Sequence, residues 1–182
     1  ADIETKDSDG NTPLIYAAIN KNRQLTETLI KNKANVNAKN NDGLTALNYA
    51  LNNRNNEIAK ALIGAGADIN IKDEKGNTIL MNLAYNNNYD LAKAIVDTKA
   101  DINVKNKEGF TALTFAAYRG SYNVAKLLVD SGADINVKDA NGNTPLMYAS
   151  FNNYTNVLKL LIDSGANINE KKSDGFTALM FA

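Results

Sequence analysis

Cysteine, histidine and tryptophan are absent from this chain of 182 residues. Without Cys there is no disulfide, no thiolate chemistry and no Cys-rich zinc site, and redox compartment leaves no trace. The missing His removes the commonest general base near neutral pH and the commonest transition-metal ligand, which counts against an enzyme. Net charge is missing too, because 20 Lys and Arg balance 20 Asp and Glu. No global field therefore draws the chain to DNA, RNA or an anionic membrane, and no nucleic-acid partner is expected. No apolar run approaches the roughly 18 residues of a membrane-spanning helix, so no membrane insertion is expected. The opening Ala1-Asp2-Ile3-Glu4 lacks the basic and apolar regions of a signal peptide. The serines lack a Gly-x-Ser-x-Gly setting and Ser-x-x-Lys does not occur, so no nucleophile system is expected, and no catalytic residue, cofactor or metal.

What the chain does contain is a period. Thr-x-Leu recurs as Thr12-Pro13-Leu14, Thr45-Ala46-Leu47, Thr78-Ile79-Leu80, Thr111-Ala112-Leu113, Thr144-Pro145-Leu146 and Thr177-Ala178-Leu179, each Thr 33 residues after the last. Two residues before every Thr stands a glycine: Gly10, Gly43, Gly76, Gly109, Gly142 and Gly175. Each unit reads as two short helices and a loop. Thr serves as N-cap, Pro or Ala suits the first helical position, and Leu opens an apolar face. A break follows, Asn86-Asn87-Asn88 or Arg119-Gly120, where Asn or Gly takes the left-handed conformation. A second run places Val124, Leu127, Leu128 and Val129 at helical spacing and stops at a cap glycine such as Gly132. Val36, Ile69, Ile102, Ile135 and Ile168 then stand as single apolar anchors, one pinning each loop to the core. Polar residues lead from there to the turn glycine, which suits an exposed hairpin-like finger. No such unit buries its apolar face alone, so neighbours must stack.

Several segments imitate chemistry. Gly64-Ala65-Gly66 resembles part of a dinucleotide fingerprint but closes a helix, and no third Gly follows. Asp7-Ser8-Asp9-Gly10 and Asp139-Ala140-Asn141-Gly142 imitate a calcium loop without its flanking ligands and read as turns. Glu170-Lys171-Lys172 reads as a solvated finger tip, since Glu170 and Asp174 flank the lysines.

These residues resemble the ankyrin repeat. The fourth unit is nearest to the family pattern, with Gly109, Thr111, Leu113, Ala116, Ala117, Gly120, Leu127, Leu128, Gly132, Ala133, Asp134 and Asn136. The resemblance implies an all-α solenoid of stacked helix-turn-helix units with hairpin-like loops, one domain over 1–182. Full repeats are expected at 7–39, 40–72, 73–105, 106–138 and 139–171, with the tail of a preceding unit at 1–6 and a partial unit at 172–182. Glu4 would fill the family's Asn slot. Neither end reads as capped, which suggests a piece of a longer array. There are departures as well. The family's His after Thr-Pro-Leu is replaced by Ile15, Asn48, Met81, Thr114, Met147 and Met180, so its hydrogen bonding is expected to be lost. Lys33 and Lys99 replace the cap glycine. Lys21 and Arg54 replace the inter-helix glycine, with an adjacent Asn expected to take its geometry. The first and third units should then be the least regular.

The resemblance further implies a non-catalytic module that binds a partner protein through the concave groove of first helices and finger tips. A structural spacer in a long array, or the recognition part of a larger enzyme or secreted effector, are the alternatives. As an isolated segment the chain is expected to be monomeric. Mapped onto this chain, the groove positions hold Leu44, Asn52, Tyr85, Glu108, Phe110, Tyr118, Arg119, Phe151 and Phe176. Tyr85, Tyr118 and Phe151 come from consecutive units, and helices packed 8–10 Å apart would align them over roughly 20 Å. Tyr16, Tyr49, Phe115, Tyr148 and Phe181, four places after each Thr, read as core or half-buried wall.

Overall fold

The computed structural model describes residues 2–181, and of Phe181 the backbone alone. Ala1, Ala182 and the expected wall position of the Phe181 ring lie outside the described residues. Among the described residues ten α-helices run in pairs: α1 (Pro13–Ile19), α2 (Arg23–Lys31), α3 (Ala46–Asn52), α4 (Asn56–Gly64), α5 (Ile79–Tyr85), α6 (Tyr89–Asp97), α7 (Ala112–Arg119), α8 (Tyr122–Asp130), α9 (Pro145–Phe151) and α10 (Thr155–Asp163). A 3₁₀ turn, Ala178–Phe181, follows.

Each first helix begins at its threonine. Thr12, Thr45, Thr78, Thr111 and Thr144 are extended, and each hydroxyl accepts the backbone N–H three residues on. One otherwise orphaned donor is satisfied at each start, and Pro13 and Pro145 sit where their missing N–H costs nothing. The expected loss of His hydrogen bonding is only partial. Asn48 Oδ1 accepts from Thr45 N at 2.9 Å and Thr114 Oγ1 from Thr111 N at 3.3 Å, closing capping boxes. Ile15 and Met147 instead add buried apolar volume at the same position.

The break between paired helices divides its labour over three residues. The residue two before the next helix start is left-handed in every repeat, Lys21, Arg54, Asn87, Gly120 and Asn153, with φ between 53° and 67°, and only in the fourth does the first helix run on to the residue before it. This corrects the expectation that a neighbouring Asn would substitute at Lys21 and Arg54. Three residues must reverse the chain, and that geometry selects the middle position whatever its propensity. The third residue caps the next helix instead: Asn22, Asn55 and Asn88 accept the N–H of Leu25, Ile58 and Leu91. Lys33 and Lys99 likewise take the left-handed conformation at the end of α2 and α6. The first and third repeats are consequently as regular in helix length as the others.

The chain forms two compact units, Ala1–Ile69 and Asn70–Ala182. In the first, α1 packs on α2 and α3, and α4 on α2 and α3. In the second, α7 packs on α5, α8 and α9, α8 on α6 and α10, and the 3₁₀ turn on α9. Alanines on the first helices, Ala50, Ala84, Ala116 and Ala149 among them, are fully buried and keep the contacts short. Leu47, Leu62, Leu113, Leu128 and Leu161 fill the layer between first and second helices, each burial contributing roughly 1.5–3 kcal/mol.

The expected fingers are β-turns closed at both levels. In the fourth, Gly109 N donates to Asn106 O at 3.0 Å and Asn106 N to Phe110 O at 2.9 Å. The calcium lookalikes are turns of this kind, with Asp7 and Asp139 accepting from N–H groups of their own loops. The single-anchor expectation needs correction. Val36, Ile69, Ile102 and Ile135 are half-buried, whereas Ile168 is 52% exposed and Val137 is buried. The loops are pinned more by polar links. Glu4 Oε1 accepts from Asn35 N at 2.7 Å and Asn37 Oδ1 from Asp68 N at 2.7 Å in the first unit. Asn103 Oδ1 accepts from Asp134 N and Asn136 Oδ1 from Asn167 N in the second. Glu4 thus does fill the Asn slot.

Finger chemistry alternates, so that the true sequence module spans two repeats. Asp7, Asp73 and Asp139 pair with Asn11, Asn77 and Asn143 four residues on. The intervening fingers carry Asn40 and Asn106 with Leu44 and Phe110 in place of that pair. The Asn40 amide donates to Asn11 and the Asn106 amide to Asn77.

Candidate functional site

First helices α5, α7 and α9 of the second unit carry an exposed aromatic row. Tyr85, Tyr118 and Phe151 end or nearly end these helices and are 39%, 40% and 68% exposed. Thirty-three residues of period bring Tyr85 and Tyr118 together: their rings stack with centroids 6.5 Å apart. Tyr85 also meets Phe115 edge-on at 6.0 Å, Phe115 meets Phe110 at 5.3 Å, Phe110 meets Tyr148 at 5.5 Å, and Tyr148 meets Tyr118 at 5.7 Å. The five contacts close a circuit. Edge-to-face pairs contribute about 0.5–1.5 kcal/mol each beyond area burial, so Tyr118 both packs and presents surface.

Phe115, Tyr49 and Tyr148 are half-buried as expected, but Tyr16 is 42% exposed. The aromatic neighbours Phe110 and Tyr118 that cover the equivalent Tyr148 have, among the described residues, no counterpart at Tyr16, and the Tyr16 hydroxyl donates to Asp7 at 2.5 Å. That contact raises the Tyr16 hydroxyl above its usual range and lowers the Asp7 carboxyl. The Tyr148 hydroxyl makes the same bond to Asp139. Burial, and then the Asp139 charge, push it well above the ordinary tyrosine value. Burial pushes the Asp139 carboxyl up, but hydrogen bonds from Tyr148, Asn143 and Asn141 outweigh this and hold it below the ordinary value.

Arg119, exposed at the end of α7, lays its guanidinium 4.6 Å from the Tyr85 ring centroid. Glu108 is exposed on the finger before α7. Phe176 is 45% exposed, with the Lys172 ammonium 5.6 Å from its ring centroid. Leu44, half-buried, and Asn52, exposed, belong to the first unit. A pocket of about 200 Å³ opens beside the row, lined by Tyr118, Asn143, Met147, Tyr148, Phe151 and Lys172. Lys172 is not the solvated finger tip that its sequence context suggests. It is half-buried and pairs with Asp174 at 2.8 Å, while Glu170 pairs with Lys138 at 2.6 Å. The signal available was its position, five before Thr177, where the other fingers hold Asp or Asn.

Among the described residues no cluster of three or more His, Cys, Asp or Glu is arranged to hold a metal ion, and no helix is long and apolar enough to cross a membrane.

Helix pairs recurring every 33 residues, linked by β-turn fingers, define an all-α repeat solenoid. The chain belongs to the ankyrin repeat family: a family model of three ankyrin copies matches residues 1–73 and 55–139, and one of many copies matches 122–162. Among solved structures it is similar to the ankyrin repeat domain of Bcl-3, described as a unique member of the IkappaB protein family, at 28% identity and TM-score 0.80, covering 96% of this chain and 81% of that one. It is similar also to the ankyrin repeat protein EF0377, at 27% identity and TM-score 0.82, covering 100% and 92%. No curated protein matches the chain. The ankyrin repeat fold is generally a protein–protein interaction module.

Proposed function

We propose that this chain is a non-catalytic protein-binding module, organised in the repeats expected from its sequence, that holds a partner protein along the groove of first helices and finger tips. The carrying observation is the exposed row Tyr85, Tyr118 and Phe151 beside a 200 Å³ pocket. Tyr and Arg are the residue types that dominate binding energy in protein interfaces, and the row combines both at Tyr85 and Arg119. Phe110 and Glu108 extend it toward the fingers, Phe176 continues it past α9, and Leu44 and Asn52 are the equivalent positions in the first unit. Retention of protein from an extract of the source cell by the immobilised chain tests the reading. Phe151→Ala should lose the retained protein, whereas Ile162→Ala, an exposed apolar change on α10, should keep it. Equal retention by both variants would overturn the assignment of the groove.

A further inference from the structure

Asparagine is abundant in this chain, yet only Asn141 is followed by glycine. The pair forms the tip of the fifth finger, where Asn141 is exposed and Gly142 takes φ 80°. The other fingers place Asp9, Asp42, Lys75, Glu108 and Asp174 before their turn glycine, so a neutral amide stands at this position in one finger alone. Neighbouring finger asparagines are tied by their side chains: Asn40 donates to Asn11, Asn106 to Asn77 and Asn143 to Asp139. Asn141 is different. Among the described residues only its backbone is hydrogen-bonded: its N–H donates to Asp139 Oδ1 at 2.8 Å, and its carbonyl accepts from Ser173 Oγ at 2.9 Å and Ser173 N at 3.3 Å. The backbone is pinned on both sides while the side-chain amide is left unbound.

We propose that Asn141 is a site of spontaneous deamidation, and that its isoaspartyl product breaks the closing bond of the fifth finger. The Gly142 nitrogen attacks the Asn141 side-chain carbonyl carbon, a C–N bond closes a succinimide ring, and the amide nitrogen leaves as ammonia with the proton that Gly142 gives up. Water then opens the ring at either carbonyl, giving aspartate or isoaspartate. Gly142 carries no Cβ beside its nitrogen, so the attacking atom is unshielded. What restrains it is the hydrogen bond from its N–H to Asp139 O at 3.0 Å, so the ring closes during local opening of the turn. Exposed turns lie at the low end of the opening energies within a fold. The two products differ in consequence. Aspartate at 141 is the residue that three other fingers already carry there, Asp9, Asp42 and Asp174, and the turn accepts it. Isoaspartate routes the backbone through Cβ, which lengthens the tip by one carbon, about 1.5 Å. Gly142 N is thereby carried away from Asp139 O.

Incubation of the whole folded chain in mildly alkaline buffer, followed by peptide mapping and isoaspartyl methyltransferase labelling, tests the site. Asn141 should convert before any other asparagine, and faster still in a parallel sample held in urea, where the turn no longer restrains Gly142. Asn141→Gln, whose longer side chain closes the ring far more slowly, should lose the early product. Conversion led by another asparagine, or conversion of Asn141 in urea but not in the folded chain, would overturn the site. The isoaspartyl form, separated by ion exchange, should show faster hydrogen exchange at the Gly142 amide, whereas Asn141→Asp should exchange as the parent does. Equal exchange in the isoaspartyl form and the parent would overturn the proposed effect on the turn.

Discussion

The Asn106 side-chain amide donates to Asn77 Oδ1 across 2.7 Å, although the two residues stand 29 apart in the chain and on neighbouring fingers. Asp73 fixes the orientation of Asn77 by accepting its amide at 2.9 Å, which leaves Oδ1 for Asn106. Asn106 Oδ1 meanwhile accepts from Glu108 N and Phe110 N within its own turn. Both asparagines are buried, so each hydrogen bond stands in for one to water.

Asn106→Asp keeps the turn acceptor and removes the donor, setting an oxygen against Asn77 Oδ1. The expected cost is roughly 1–3 kcal/mol, the range for a buried polar group left unsatisfied. Urea unfolding of the variant against the parent measures it. An unchanged midpoint would mean that the bridge contributes nothing.

Lys99→Gly should stabilise the fold by roughly 1 kcal/mol, because a Cβ in the left-handed conformation costs about that much and Lys99 sits at φ 62°. Gly120→Ala should have the opposite and larger effect. Its φ of 67° carries the same strain, and an added Cβ would stand 2.5 Å from the Tyr154 ring. Paired thermal melts decide both signs.

The Asp139 carboxyl is lowered on folding, so its contribution is complete above the unfolded value of about 3.9 and is lost as pH falls through the folded value. The stability difference between the parent and Asp139→Asn should therefore be largest at neutral pH and shrink in acid. The raised Tyr148 hydroxyl acts at the other end: its contribution is complete below about pH 10 and fades above it. Denaturation midpoints for the parent, Asp139→Asn and Tyr148→Phe across pH check both limbs.

Phe151→Ala, at a ring 68% exposed, should cost less stability than a buried truncation, under about 2 kcal/mol. Tyr118→Ala should cost more, since its ring touches Tyr85 and Tyr148 and each such pair contributes about 0.5–1.5 kcal/mol. Loss of binding at either position is therefore weighed against the measured change in stability. Calorimetric melts of the two variants separate the effects.

Much of this was legible in the sequence. Threonine before an apolar run specifies a helix start by its own hydroxyl, and the 33-residue period alone sets Tyr85 beside Tyr118. What escaped follows from geometry that propensity does not carry. A three-residue reversal decides which of Asn20, Lys21 and Asn22 must be left-handed, and Lys21 is the one. The bridge between Asn77 and Asn106 needs a two-repeat alternation, which a search for one-repeat identity averages away. Lys172 enters the site only because neighbouring fingers stack, a relation between segments some 30 residues apart.

Lys21, Lys33, Arg54 and Lys99 occupy positions where the backbone would accept glycine more readily. Converting all four would leave sixteen basic residues against twenty acidic ones, a net charge of −4 where the chain now has zero. Relief of backbone strain and gain of mutual repulsion between molecules thus come from the same four substitutions. An engineer relaxing these turns would also obtain a protein that stays dispersed at higher concentration.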